Sequence, residues 1–153
     1  MNEDKKIGRR TVARLVATQT LFQYHFHKKD ISIETILNDT IELYIKEECG
    51  KDCNCTKMVD IDLARTLING VEENFEVLDE IIEKNLKKGN KLKDIQGTIT
   101  EILRLAVFEL QNMKETPTKI IINEYVNLTS YFGEDSHITL ANGILDNIAK
   151  QIR

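Results

Sequence analysis

Between Ile99 and Met113 the chain carries a core string, Ile102, Leu103, Leu105, Ala106, Val107, Phe108 and Leu110, that is apolar nearly all round. A helix with no polar face belongs at the centre of a core. Such a segment forces the rest of the chain to supply elements that cover it. Arg104 and Glu109 interrupt the string and read as a helix-edge pair or as partner contacts, not as catalytic groups. Thr98 and Glu101 stand at capping-box spacing at its start.

The covering elements are themselves helical. From Arg9 to His27 the apolar residues Val12, Leu15, Val16, Phe22 and Phe26 recur at helical spacing, with Gln19 on the same stripe. A turn at 28–31 follows, and Ser32 is placed to cap a second helix through Ile33, Ile36, Leu37, Ile41 and Leu43 to Ile45. Ile61, Leu63, Ala64, Leu67, Ile68 and Val71 give a third apolar face, which Gly70 and Asn74 weaken as at a break. Phe75, Leu78, Ile81, Ile82 and Leu86 form a further helix closed by Lys87, Lys88 and Gly89. After a linker at 89–97 and the apolar helix, Thr116-Pro117 sets an N-cap with proline at the first helical position. That helix stops at Gly133, and Glu134-Asp135-Ser136 caps a last one running to Arg153. No run alternates as a strand does. The fold class expected is all-α, with about seven helices. At 153 residues, 41% of them hydrophobic, the chain can bury a core without metal or disulfide support. We expect one domain, 1–153, built from an N-terminal sub-bundle over about 1–72 and a C-terminal one over about 73–153.

Several function classes find no support. No apolar stretch approaches the ~20 residues that span a bilayer. The charged N-terminus lacks an apolar signal-peptide core, so it reads as a mature start and the cytoplasm as the location. Cys49, Cys53 and Cys55 crowd into CGKDCNC. An odd number without a secretion signal argues against a disulfide framework, and three thiols fall short of the four ligands of a structural zinc site. We read this segment as a polar inter-helix loop with reduced thiols, and expect no metal and no cofactor. Phosphate-loop, dinucleotide and zinc-protease motifs are missing. His137 beside Ser136 and Asp135 does not make a hydrolytic triad, since neighbours at a helix cap rarely point at one another; capping is its expected role. The reading is a binding protein and not an enzyme.

The charge distribution says what it binds. Residues 1–14 carry Lys5, Lys6, Arg9, Arg10 and Arg14 against Glu3 and Asp4, a net +3. The whole chain is −4, so 15–153 carry −7. Cations gathered at one helix entrance suit a polyanion, whose counterions are released on binding. Arg10 and Arg14, four apart, are expected on one face, with Lys6 and Arg9 beside them. Guanidinium forks fit phosphate oxygens and stack on bases. Gln19, one turn on, could reach a base edge or simply border the core stripe. Phe22, Tyr24 and Phe26 read as core. With no recognition-helix pattern, a single-stranded target is favoured over duplex DNA.

These residues resemble a known family. RRTVARLVATQTLF (9–22) resembles the opening signature of the NusB family of bacterial transcription antitermination factors, roughly R-R-x-A-R-x-x-A-x-Q-x-L-Y. EILRLAVFEL (101–110) is similar to that family's central buried helix. The segment from Pro117 through KIIINEYVNL to FGEDSHITLANGILDNIAK resembles its C-terminal signature. Over 30–95 only the helical pattern matches, and CGKDCNC is not a family feature.

The resemblance implies two small helical bundles packed together. It implies binding of the single-stranded boxA element of nascent RNA together with NusE, a small-subunit ribosomal protein. The pair would load onto an RNA polymerase antitermination complex and support ribosomal RNA transcription. Arg10 and Arg14 match the arginine-rich RNA-binding opening, with Arg9 beside it, and Gln19 matches the family's glutamine. Phe22 falls where the family has an aromatic, commonly Tyr, near the NusE surface. Glu134, Asp135, Ser136 and His137 match a loop that lies near the RNA. Leu140 stands where many members have phenylalanine, at the cost of an aromatic RNA contact. Two other readings stay open: a helical protein–protein adaptor without RNA binding of its own, and the RNA-recognition region of a ribosomal RNA cytosine methyltransferase, for whose cofactor domain the chain leaves no room.

Overall fold

The computed structural model describes residues 7–28, 30–49 and 58–153, with only the backbone at Cys49. Among the described residues lie seven α-helices: α1 (Arg9–Phe26), α2 (Ile33–Cys49), α3 (Ile61–Glu73), α4 (Phe75–Lys84), α5 (Gly97–Asn112), α6 (Thr118–Phe132) and α7 (Asp135–Ile152). A short 3-10 turn, Leu92–Asp94, leads into α5. Among the described residues none is in a strand. The all-α expectation therefore holds, element by element. The chain divides into two compact units, Met1–Thr66 and Leu67–Arg153, and the division falls inside α3.

In the first unit α1 packs against α2. Val12, Ala13, Val16, Ala17 and Leu21 of α1 and Leu37 of α2 are almost wholly buried. Ser32 caps α2 as its sequence position suggested: its Oγ accepts the Thr35 amide at 3.1 Å. Asp60 caps α3 through Oδ1, which accepts the Leu63 amide at 3.0 Å. The Asp60 amide in turn donates to the Arg9 carbonyl at 3.2 Å, tying the start of α3 to the start of α1. Capping of this kind contributes about 1 kcal/mol per helix end.

The second unit is organised by α5, which touches α4, α6 and α7. Ile99, Ile102, Leu103, Leu105, Ala106, Val107 and Leu110 have no exposed surface. Each large aliphatic among them contributes about 1.5–3 kcal/mol by leaving water. The apolar string is thus the central helix its composition required.

Five expectations change. Pro117 is itself the N-cap of α6, which begins at Thr118, so Thr116 is not the cap. The central helix begins at Gly97 with Gln96 as N-cap, so Thr98 and Glu101 form no capping box; Glu101 turns instead to Arg104. Arg104 and Glu109 are not a pair. Arg104 holds both carboxylate oxygens of Asp79, at 2.6 and 3.0 Å, bonds Glu101, and lies 4.1 Å above the Phe75 ring. Glu109 accepts the Tyr125 hydroxyl. Five residues apart on one helix, the two project to different sides. The helix at Gly70 is not broken: α3 continues to Glu73, and only Asn74, whose side chain donates to the Gly70 carbonyl at 2.8 Å, turns the chain into α4. Lastly, α4 ends at Lys84, ahead of Lys87-Lys88-Gly89, because Asn85 caps the Ile81 carbonyl at 2.8 Å.

Candidate nucleic-acid interface

The first candidate set stands at the start of α1. Gly8 is its N-cap, extended at φ −61° and ψ 150°, with no side-chain cap and no acid in the first turn. Arg9 and Arg10 occupy that turn and are exposed. Cations there oppose the helix dipole, whose positive end lies at the N-terminus, so this arrangement weakens the helix. The same positive charge at the helix N-terminus attracts an anion. Lys5 and Lys6 lie outside the described residues.

Arg14 departs from expectation. It is only 3% exposed, so Arg10 and Arg14 do not present one shared surface. The cause is the breadth of the buried arc of α1, which takes in Arg14 and Thr18 as well as Val12, Ala13, Val16, Ala17, Thr20 and Leu21. Arg10 escapes because it precedes that arc. Thr18 donates back to the Arg14 carbonyl at 2.8 Å.

The opposite edge of α1 also differs. Leu15, Gln19 and Phe22 are half-buried, and Phe26 is 69% exposed. Phe26 is therefore not core. Its ring lies 5.9 Å from that of Phe22 and meets His27 edge-on at 5.4 Å. Small residues, not aromatics, fill the α1 interior, because alanine and threonine let a neighbouring helix approach closely. Gln19 sits at the border of the buried stripe.

The second set opens α7 in the other unit. Glu134, Asp135 and Ser136 are exposed, while His137 and Leu140 are half-buried. The Glu134 amide donates to His137 Nδ1 at 3.0 Å, so His137 caps its own helix. This closure needs Gly133. A Cβ there would lie 2.7 Å from His137 Nδ1 and 3.0 Å from its Cβ and Cγ. Space, and not an unusual backbone angle, makes the glycine necessary: φ is −138° and ψ −175°. His137 and Leu140 share a cavity of about 240 Å³ with Lys91, Asp94 and Ile95. Two exposed carboxylates make this turn unsuited to phosphate. They favour partners that donate hydrogen bonds, such as base amino groups or sugar hydroxyls.

The Arg104 cluster and Arg153 are both structural. Burial opposes the Arg104 charge, but hydrogen bonds and attraction from Asp79 and Glu101 outweigh it and hold the guanidinium above its ordinary range. Arg153 donates to the carbonyls of Leu110, Met113 and Thr116, at 2.9, 3.0 and 2.7 Å. Among the described residues no three His, Cys, Asp or Glu side chains converge as a metal site. Cys53, Cys55 and the Cys49 side chain lie outside them. No described helix is long and apolar enough to cross a membrane.

Comparison with known proteins agrees along nearly the whole chain. The NusB family model matches residues 11–150. A transcription antitermination protein NusB from Staphylococcus carnosus is 36% identical over 139 residues, 91% of this chain and 98% of the relative. The solved structure of T. maritima NusB superposes with a TM-score of 0.75 at 29% identity, covering 95% of this chain and 93% of that one. A chain from a crystal structure of antitermination factors NusB and NusE in complex with dsRNA shares the fold, with a TM-score of 0.73 at 22% identity, over 92% of this chain and 96% of its own.

Proposed function

Because this chain belongs to the NusB family, we propose that it is a transcription antitermination factor. It binds boxA-type single-stranded RNA together with NusE and supports ribosomal RNA transcription as part of an RNA polymerase antitermination complex. The observation that carries this reading is the match to relatives named as antitermination proteins over almost their full length. It works in the cytoplasm, as a single RNA-binding domain, by binding and not by catalysis.

The chain's own geometry supports a division of labour. Arg9 and Arg10, exposed in an uncapped first turn without acids, supply the phosphate attraction. Lys5 and Lys6 add to it from the preceding segment. Glu134, Asp135 and Ser136 are acceptor-rich and exposed, and read bases or ribose hydroxyls. Phe22, with the exposed Phe26 against it, is the face for NusE. Leu140 offers an apolar side chain without an aromatic stacking plane.

Affinity for a boxA-like RNA with and without NusE, against a scrambled RNA of equal length, tests the reading. A duplex arm belongs beside it, since a related assembly contains dsRNA. NusE-enhanced preference for the boxA-like strand supports the proposal; equal binding of all three RNAs overturns it. An adaptor without RNA binding is the alternative, and nuclease treatment of a NusE pull-down separates the two. Complete retention with no measurable RNA affinity would establish the adaptor.

A further inference from the structure

We propose that His137 is a positioning residue for RNA recognition and not an RNA ligand, and that it makes recognition sensitive to acid. The inference rests on the function proposed above and concerns the turn that opens α7. An amide hydrogen can be accepted at Nδ1 only by a lone pair, so the 3.0 Å bond from Glu134 fixes the neutral imidazole with its proton on Nε2. The ring also lies over Gly133, in space that a Cβ would occupy. Together these contacts hold the exposed Glu134, Asp135 and Ser136 in one arrangement. Adding a proton to Nδ1 replaces the acceptor with a donor facing the Glu134 N–H. The turn then loses its closing bond, and a cation is left at the positive end of α7. The charged groups around the ring come from two elements. They are Glu134 and Asp135 on its own helix and Asp94 and Lys91 across the shared cavity. From α6 the chain contributes Phe132 and Gly133, neither of them charged.

A direct phosphate contact by His137 predicts the opposite sign. A protonated imidazole on a phosphate would strengthen binding as pH falls, whereas a broken cap weakens it. The experiment is the affinity of the full chain for a single-stranded boxA-like RNA from about pH 8 to about pH 5. We expect wild-type affinity to fall about fivefold across it, the worth of one cap. His137→Gln, which supplies a side-chain oxygen that accepts at every pH, should hold its affinity across the range. Gly133→Ala removes no polar group but displaces the ring, and should bind about fivefold more weakly even at the alkaline end. Nitrogen-15 shifts of the imidazole report the tautomer independently of RNA. Affinity that rises on acidification, an equal acid loss in His137→Gln, or wild-type binding by Gly133→Ala overturns the inference. No RNA binding by the wild type at the alkaline end overturns the underlying function instead, and the inference with it.

Discussion

The ring of Phe108 occupies the place where a side chain of Gly70 would begin: a Cβ on Gly70 would lie 2.1 Å from Phe108 Cζ and 2.3 Å from Cε2. Phe108 is 8% exposed and belongs to the central helix, while Gly70 lies inside α3. Glycine within a helix ordinarily costs about 1 kcal/mol relative to alanine. Here that cost is accepted because the ring needs the space.

Gly70→Ala should therefore destabilise the protein, despite its better helix propensity. Overpacking a filled core costs about 1–3 kcal/mol. Chemical denaturation of Gly70→Ala, Phe108→Leu and the double variant tests the pairing. A smaller penalty for Gly70→Ala in the Phe108→Leu background is the expected coupling, and strict additivity would contradict it.

Arg104 is tied to Asp79 and Glu101, and its removal leaves two acids with little water around them. Arg104→Met should cost about 3–5 kcal/mol, the range for a broken buried pair. The pH dependence has a definite sign. The folded-state affinity of Arg104 for its proton is raised, so its stabilising share is complete below the unfolded value and is lost only at strongly alkaline pH. The difference in stability between wild type and Arg104→Met should consequently stay flat from neutral to moderately alkaline pH. A steep change there would refute this account of the cluster.

Arg153 closes the C-terminal end of α5 through the Leu110 and Met113 carbonyls, and ties it to the start of α6 through the Thr116 carbonyl and Thr118 Oγ1, the last at 3.2 Å. Charge-assisted bonds to helix-terminal carbonyls are the strong kind. Arg153→Ala should lower stability by about 1–3 kcal/mol, and Arg153→Lys should restore only part of it, since an ammonium lacks the planar fork. Thermal unfolding that shifts equally for both variants would argue against the fork geometry.

What the sequence disclosed follows the reach of each interaction. Helices announce themselves through local periodicity, so all seven were legible, and so were caps three residues apart such as Ser32–Thr35 and the capping role of His137. The buried arc of α1 was not. Ala13, Ala17, Thr18 and Thr20 are interior through close helix approach, which hydrophobicity does not encode, while Phe26 is exposed despite it. Asp79, the carboxylate that Arg104 grips through two bonds, lies 25 residues away, and the carbonyls held by Arg153 lie about 40 away, beyond any spacing rule. Candidate site residues were legible as chemistry, through the basic opening and the acidic turn, but the burial of Arg14 depends on packing.

Arg9 and Arg10 provide the last prediction, in which stability and binding part company. Both stand at the positive end of α1, with no acid in its first turn. Replacing them by alanine removes repulsion with the helix dipole, so thermal stability should stay level or rise slightly. The same change should weaken RNA binding and lower the slope of log K against log salt by about 1.4, at about 0.7 per lost phosphate contact on a single strand. Arg14→Ala should behave differently, because that residue is buried: stability falls. A salt series on the two variants, each beside its melting curve, distinguishes surface attraction from internal support. Equal salt slopes for wild type and Arg9→Ala/Arg10→Ala would remove the start of α1 from the RNA surface.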